Sequence, residues 1–202
     1  MIGIIDYGMG NIHSVRKALQ LQGGRVLVSN KPAELKHCRS LVLPGVGAFG
    51  DAMIELRRRK LDSLIKGHIA AGKVFLGICL GMHLLFEGSE ESPGSRGLAV
   101  LQGRVTKFDP AAGLKIPHMG WNQVALRRRE CPLFKGLAQG TTVYFCHSYY
   151  PQPKDSAVVA ATTGYGSDFS SIVWKDNLFA MQFHPEKSQA AGLKIIENFV
   201  RL

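Results

Sequence analysis

The sequence predicts an α/β fold with a mixed, mostly parallel central sheet that helices flank, in a single domain over residues 1–202. Two observations predict this fold. In the first half of the chain, short apolar runs alternate with segments whose apolar residues recur at helical spacing, and that alternation favours parallel crossovers. In the second half, β-rich runs follow one another with few helices between them. A chain of 202 residues is long enough for one substantial domain and short for two.

The first half is predicted to contain four strands and three helices. The strands are IGII, RVLVS, SLVLP and KVFLG, at residues 2–5, 25–29, 40–44 and 73–77. The helices cover residues 12–22, residues 49–71 and a stretch after Cys79 that ends near residue 87. Their apolar residues lie three and four positions apart, which is the spacing of one helix face.

The second half is predicted to be mostly strand, closed by one helix. The β-rich runs are residues 98–108, 121–127, 142–150, 157–163 and 170–183. The last run contains WKDN at residues 174–177, where Asp and Asn supply turn chemistry and predict a hairpin. The closing helix is predicted to carry one apolar face, made of Ala190, Leu193, Ile196 and Phe199 or Val200.

The cysteines and the apolar runs exclude several classes of protein. The four cysteines are dispersed without a CxxC pair, which argues against a disulfide framework or a zinc site and suits a reducing cytosol. No apolar run approaches the length that crosses a bilayer, and the first residues do not resemble a secretory leader. We therefore expect a cytoplasmic protein with no metal and no membrane contact.

The formal net charge is +10, with basic clusters at residues 57–60 and 127–129. A nucleic-acid surface is one interpretation, and docking onto an acidic protein partner is another. Neither cluster has interleaved aromatic residues or a recognisable nucleic-acid motif. Solvated faces are the commoner origin of such runs, so we expect no nucleic-acid partner.

The segment GICLGM places Cys79 between two glycines, after an apolar strand and before a helix. The pattern Gly-x-Cys-x-Gly matches a nucleophile elbow in which cysteine replaces serine. A strained turn would lift the thiol above the sheet edge, and the backbone N–H groups that follow would favour its thiolate form. A buried core cysteine is the alternative, because free cysteine is among the most buried residue types. This segment alone leaves both interpretations open.

A cysteine nucleophile needs a base, and the base needs a group that orients it. His184 lies at the end of an apolar strand, where such sheets open their binding crevice. Glu186 follows two residues later, across a proline, and could hold the imidazole in one tautomer. His83, four residues after Cys79, is the rival base, but it lacks an acidic partner at a comparable position.

Two glycine-rich segments complete the candidate site. PGVG at residues 44–47 follows a strand and could donate backbone N–H groups to an oxyanion beside the elbow, although a tight turn also uses glycines. DYGMGN at residues 6–11 suggests a dinucleotide fingerprint. His13 occupies its third glycine position, so that fingerprint is incomplete.

Taken together, these residues resemble the class I (triad) glutamine amidotransferases over essentially the whole chain. The resemblance rests on PGVG, GICLGM and FHPEKS (residues 183–188), and on the order Cys, His, Glu. Within the family, the resemblance is narrower to members that serve imidazole glycerol phosphate synthase in histidine biosynthesis. That narrower match rests on IDYGMGN, PHMGWN (residues 117–122) and YFCHSYY (residues 144–150).

The resemblance implies the α/β fold of that family and a glutaminase without a cofactor. Cys79 would attack the glutamine carboxamide, His184 would transfer the proton, and Glu186 would orient the imidazole. The backbone N–H groups of Leu80 and, after a loop adjustment, Val46 would hold the oxyanion. The ammonia would pass to a (β/α)8-barrel cyclase subunit in a heterodimer. That subunit would make imidazole glycerol phosphate and an aminoimidazole carboxamide ribonucleotide.

The resemblance also implies further site residues. Those matching positions around bound glutamine are Gly47, His83, Ser148 and Tyr149. Those matching positions near the partner interface are Asn11, Trp121, Tyr144 and Lys187.

His83 is a departure, because the family carries glutamine at that position. Imidazole can hydrogen-bond a carboxylate or carbonyl group of the substrate, more strongly when protonated, so we expect binding to persist with a changed pH dependence.

Other functions remain as alternatives. The triad itself cannot separate this subunit from a glutaminase subunit that feeds a different synthase. A stand-alone hydrolase would be fully active without a partner. A binding protein that had lost the chemistry would lack Cys79, His184 or Glu186, and all three are present.

Overall fold

A computed structural model describes residues 1–110 and 113–202 of the chain. The strands are β1 (Ile2–Ile5), β2 (Val26–Ser29), β3 (Ser40–Gly45), β4 (Val74–Cys79), β5 (Gly88–Ser89), β6 (Gly103–Lys107), β7 (His118–Leu126), β8 (Thr141–His147), β9 (Tyr149–Pro153), β10 (Val159–Tyr165), β11 (Ser167–Lys175) and β12 (Leu178–Met181). The α-helices are α1 (Ile12–Leu21), α2 (Pro32–Leu35), α3 (Phe49–Arg58), α4 (Leu61–Ala70), α5 (Leu80–His83) and α6 (Gln189–Arg201). Short 3-10 helices cover Pro132–Phe134, Ser156–Val158 and Pro185–Lys187.

Strands from both halves of the chain form one nine-stranded sheet, in the order β2-β1-β3-β4-β12-β11-β10-β7-β8. The four pairings from β2 to β12 are parallel, and the four from β12 to β8 are antiparallel. The sheet is therefore mixed, as predicted, but evenly divided rather than mostly parallel. The reason is that β10, β11 and β12 follow each other without a helix between them, which forces antiparallel neighbours. A second sheet has the order β5-β6-β9.

Helices cover both faces of the large sheet, and each face has its own apolar core. Val15 and Leu19 of α1 pack with Ile196 and Phe199 of α6 on one face. On the other face, α3 and α4 contribute buried residues that include Leu56. Burial on both faces explains why strands β1, β3 and β4 read as continuous apolar runs.

The strand assignments of the first half are confirmed to within two residues, and α1 ends one residue before its predicted end. The predicted hairpin turn is confirmed as well. Asp176 adopts a left-handed φ of 51°, and the indole N–H of Trp174 donates to its carbonyl at 2.8 Å. In the described ranges, no helix is both long and apolar enough to cross a membrane.

The single helix predicted over residues 49–71 is wrong, because two helices occupy this segment. Leu56 is buried in α3, and a straight helix would carry Lys60, four residues later, onto the same buried face. Lys60 instead takes a left-handed φ of 58°, which separates α3 from α4. The restart places Leu61 and Ile65 of α4 in the core.

The helix predicted to reach residue 87 is also wrong, because α5 stops at His83. The carbonyl of Leu84 accepts the N–H of Leu98 at 2.8 Å instead of continuing a helical ladder. The same contact takes residue 98 out of strand pairing. The strand predicted from that residue therefore begins only at Gly103.

The strand predicted over residues 142–150 divides at Ser148. β8 belongs to the large sheet and β9 to the small one. The carbonyl of Ser148 accepts the N–H of Phe108 at 3.1 Å, which draws the chain across to the second sheet. The break brings Ser148 to the rim where the two sheets meet.

The predicted apolar face of α6 is partly wrong, because Ala190 is exposed. The buried side of α6 includes Gly192, Ile196 and Asn198. A Cβ atom on Gly192 would lie 1.9 Å from the Pro185 carbonyl oxygen, so that side is pressed against the preceding turn. The side-chain amide of Asn198 is buried because it donates to two backbone carbonyls.

The basic clusters make contacts within the chain. Arg58 and Arg59 both pair with Glu55, at 2.8 and 3.1 Å. Arg128 stacks over Trp174, 4.0 Å from the ring centroid. These contacts agree with solvated, ion-paired faces, and the absence of a nucleic-acid partner stays a prediction.

Candidate active site

Cys79 is the last residue of β4 and the turn into α5 starts from it. Its backbone has φ 53° and ψ −111°, which a residue other than glycine adopts only under strain. Strain of this kind at a strand-to-helix turn is typical of a nucleophile elbow. The elbow predicted from the sequence is therefore present in the backbone.

The two glycines around Cys79 are required by close backbone contacts. A Cβ atom on Gly81 would lie 1.9 Å from the carbonyl oxygen of Leu43, and one on Gly77 would lie 2.7 Å from the carbonyl oxygen of Gly81. Any side chain at either position would displace backbone. The Gly-x-Cys-x-Gly spacing thus follows from the path of the chain.

His184 and Glu186 form a buried pair beside the elbow. His184 Nδ1 donates to Glu186 Oε1 at 2.9 Å, and the two side chains are 5% and 1% exposed. The turn is held by Ser188, whose hydroxyl donates to the His184 carbonyl at 2.6 Å. Because Nδ1 is engaged, Nε2 is the ring nitrogen left for the thiol of Cys79.

The pKa of His184 is raised from 6.5 to about 10. Burial opposes the charge and lowers the pKa, but hydrogen bonds to Cys79 and Glu186, with the negative charges of both, outweigh it. The imidazole is therefore held as an imidazolium next to the sulfur. A cysteine beside a protonated histidine is an arrangement that cysteine nucleophiles use.

The thiol opens into a cavity of about 330 Å³. All six predicted oxyanion and substrate residues line it together with Cys79 and His184: Val46, Gly47, Leu80, His83, Ser148 and Tyr149. The β3 register places Gly45 opposite Cys79, so the loop that carries Val46 starts beside the nucleophile. The roles of these residues in binding stay predictions.

His83 does not contact the thiol as a rival base. Its Nε2 atom lies 2.7 Å from Oε1 of Gln182, and burial lowers the pKa of the ring to about 4 although this hydrogen bond opposes the shift. The ring is therefore neutral near pH 7. Burial disfavours the charged form of the ring and so argues against a protonated His83 at the substrate. The expected change in the pH dependence of binding stays a prediction.

Four further residues line the cavity that the sequence reasoning did not select: Glu91, Pro117, Cys146 and His147. Pro117, Cys146 and His147 fall inside the motifs PHMGWN and YFCHSYY, so those motifs contained a signal for them. Glu91 had no such signal. Its Oε2 atom accepts the N–H of Phe49 at 2.8 Å, which fixes the carboxylate at the start of α3.

Three of the predicted interface residues form one group that reaches the cavity through Lys187. Trp121 and Tyr144 are opposite each other on β7 and β8, with ring centroids 5.9 Å apart. Lys187 Nζ lies 5.8 Å from the Tyr144 ring centroid and also lines the cavity. Asn11 has a structural function as well, because its side chain caps α1 by accepting the N–H of Ser14 at 3.3 Å.

Comparisons with known proteins identify the family of the chain. The model of the family Glutamine amidotransferase class-I matches residues 3–202. The HisH subunit of imidazole glycerol phosphate synthase from Syntrophotalea carbinolica is 50% identical over 204 residues, which cover 98% of each chain. The HisH subunit from Aquifex aeolicus is 52% identical over 199 residues, 98% of this chain and 95% of that one.

A solved structure, described as PurLQS from Thermotoga maritima, has a TM-score of 0.77 at 18% identity, covering 99% of this chain and 97% of that one. At that identity the likeness concerns the fold alone. The family match and the two HisH relatives carry the assignment. The chain belongs to the class-I glutamine amidotransferase family, in the group that contains the HisH subunits of imidazole glycerol phosphate synthase.

Proposed function

We propose that this chain hydrolyses glutamine through Cys79, His184 and Glu186 and delivers the ammonia to a (β/α)8-barrel cyclase subunit for histidine biosynthesis. The observation that supports it most is the strained elbow at Cys79 beside the buried His184–Glu186 pair. Within that pair, His184 Nδ1 lies 2.9 Å from Glu186 Oε1. The 50% identity to HisH subunits supports the choice of partner reaction.

The first half of the reaction forms a covalent intermediate. The Cys79 thiolate attacks the carboxamide carbon of glutamine, and the oxyanion accepts the N–H of Leu80 and, after the loop turns, of Val46. The C–N bond then breaks as the His184 imidazolium gives its proton to the leaving nitrogen, which departs as ammonia. A glutamyl thioester remains on Cys79.

The second half restores the thiolate. Neutral His184 takes a proton from a water molecule that attacks the thioester carbonyl, and the C–S bond breaks to release glutamate. Glu186 stabilises the imidazolium in both halves, because its carboxylate faces Nδ1.

The cavity is suited to an amino acid with both charges. The Glu91 carboxylate lines it and fits the α-ammonium group of glutamine, while backbone at Gly47 and the polar side chains of Ser148 and Tyr149 fit the rest.

The mouth of the cavity supports docking of a partner. Trp121 is 48% exposed and Val46 44% exposed, which leaves apolar surface around the site that a second protein would cover. Tyr144, Lys187 and Asn11 are proposed to join that interface. A heterodimer of this kind would direct ammonia from the cavity into the cyclase.

Two further proposals concern the chain as a whole. We propose that residues 1–202 act as one domain, which is supported by β12 from the last part of the chain lying between β4 and β11. We also propose a cytoplasmic location, supported by the relatives' biosynthetic role and by four free cysteines.

The experiment that tests the proposal measures glutamate release from glutamine by the purified chain, alone and with the cyclase subunit and its nucleotide ligand. We expect low activity alone, a steep rise in the ternary mixture, and none with Cys79→Ala, because removal of a nucleophile costs about 10^6-fold. Full activity without the cyclase, unchanged when the cyclase is added, would overturn the partner assignment. Activation by a different synthase would instead favour a glutaminase subunit of that enzyme.

A further inference from the structure

Gln182 is a buried side chain next to the nucleophile that the mechanism above does not use. It is fully buried, in the stretch between β12 and His184. Its Nε2 atom lies 3.9 Å from Sγ of Cys79, and its Oε1 atom lies 2.7 Å from Nε2 of His83. One carboxamide therefore connects the reacting sulfur to a residue that lines the cavity.

The orientation of this carboxamide follows from charge. If the carboxamide were reversed, its oxygen would face the sulfur, and the partial negative charge would repel a thiolate. With the observed orientation, an N–H group faces the sulfur, and a donor to a charged acceptor forms the stronger type of hydrogen bond. The carbonyl of Gln182 then has to accept, so His83 has to donate from Nε2.

The tautomer of His83 has a consequence for the substrate. A neutral imidazole carries one proton, so a ring protonated at Nε2 presents Nδ1 as an acceptor. Glutamine, the proposed substrate, offers N–H donors at both its α-ammonium group and its carboxamide. A donor group of the substrate is thus the match for His83, which differs from the carboxylate or carbonyl oxygen considered from the sequence.

We propose that Gln182 donates a hydrogen bond to the Cys79 thiolate and fixes His83 as an acceptor for an N–H group of the substrate. The proposal rests on the proposed glutaminase function for the identity of the substrate. The contact between Gln182 and the thiolate is independent of that function and is tested without glutamine.

The first experiment measures the rate of Cys79 alkylation by iodoacetamide as a function of pH, with the modified Cys79 peptide quantified by mass spectrometry. In Gln182→Met, which keeps the length of the side chain and removes both polar groups, we expect the rate at pH 7 to fall about tenfold. In Gln182→Glu, which keeps an acceptor for His83 and puts a carboxylate against the sulfur, we expect a larger fall and a profile displaced further to high pH.

The matched control is Asn198→Leu, which removes another buried amide. That amide donates to the carbonyls of Leu133 and Lys135, and Asn198 does not line the cavity of Cys79. It should lower stability without changing the alkylation profile. If folded Gln182→Met and Gln182→Glu keep the wild-type profile, the donor function of Gln182 is wrong. A changed profile with no glutaminase activity in any mixture would contradict the proposed function but leave this contact standing.

A second measurement concerns the tautomer and needs no variant of Gln182. Side-chain ¹⁵N NMR of the histidine-labelled chain, with the His83 signals identified by their loss in His83→Gln, should show a protonated Nε2 and an unprotonated Nδ1. The opposite tautomer, with Nδ1 protonated, would overturn the acceptor function of His83.

Discussion

The parallel and antiparallel parts of the large sheet contribute to the site in different ways. The parallel part supplies Cys79 and the loop of Val46, and there the backbone itself is constrained, by a positive φ at the nucleophile and by glycines with no room for a side chain. The antiparallel part supplies Trp121 and Tyr144, whose side chains project from ordinary strands. His184 follows β12, which is the strand where the two parts meet.

This difference separates chemistry from recognition. A change in the parallel part should affect the fold and the reaction together, because the path of the backbone creates the elbow. A change at an exposed side chain of the antiparallel part, such as Trp121, should affect recognition with little effect on the fold. The following predictions test that separation, from the largest expected effect to the smallest.

Among the following changes, Glu186→Gln, which acts at the border between the two parts, should have the largest effect. The neutral amide no longer stabilises the His184 imidazolium, so kcat with the cyclase present should fall about 10^3-fold to 10^4-fold. Steady-state assays of glutamate release give the value. A rise in KM with kcat unchanged would contradict the orienting function of Glu186.

The same variant should alter the pH dependence of stability. In the wild type the pKa of His184 rises from 6.5 to about 10 on folding, so the folded chain holds the proton more tightly than the unfolded one. That contribution is complete below about pH 6.5 and is lost as pH rises towards 10. Urea unfolding at pH 6, 8 and 10 should therefore show a shallower decline for Glu186→Gln than for the wild type.

Gly81→Ala tests the constraint in the parallel part. The new Cβ would lie 1.9 Å from a backbone oxygen of Leu43, and the resulting displacement should lower the free energy of unfolding by about 3 kcal/mol. Gly67→Ala in α4 is the control, because among the described residues no heavy atom outside its own stretch of the helix lies within 4 Å of its Cβ position. It should raise stability by about 0.5–1 kcal/mol. Equal effects of the two changes would contradict the steric argument.

Trp121→Ala tests the antiparallel part. An exposed aromatic residue at the centre of an interface contributes strongly to binding, so the affinity for the cyclase should fall about 30-fold. Ile54→Ala on α3 is the control, because Ile54 is 60% exposed and does not belong to the group of Trp121, Tyr144 and Lys187. Isothermal titration calorimetry measures both, and an equal loss for Ile54→Ala would place the interface elsewhere.

Arg58→Gln lies in α3, outside both parts of the sheet, and should have the smallest effect. The change removes an exposed i,i+3 pair with Glu55, which solvent screens, so the urea midpoint and the affinity for duplex DNA should not change measurably. A clear loss of DNA binding would revive the nucleic-acid interpretation of this cluster.

The sequence predicted best where the backbone is constrained. The flanking glycines of Cys79 signal the elbow because no other residue fits there. Glu186 lies near His184 because it follows only two residues later in the chain. Predictions failed where long-range contacts decide. No local sequence signal predicts the left-handed φ of Lys60, which separates α3 from α4. None predicts that the chain passes from one sheet to the other at Ser148.

The candidate site shows the same division. Glu91 reaches the cavity through a contact with the start of α3, 42 residues away in sequence, and no local pattern carries that information. The neutral state of His83 depends on its burial, which no local pattern in the sequence shows. Charge states of this kind are properties of the assembled fold.

The contact of Gly77 with Gly81 bears on how the chain and its descendants can change. A side chain on Gly77 would collide with the backbone of Gly81, and a side chain on Gly81 would collide with the backbone of β3. Both constraints apply whichever residue stands at position 79. A descendant that exchanged the thiol for another side chain would still have to keep both glycines in order to fold. In a lineage of such proteins the glycines therefore mark inheritance of the turn, and only the residue at position 79 marks inheritance of the chemistry.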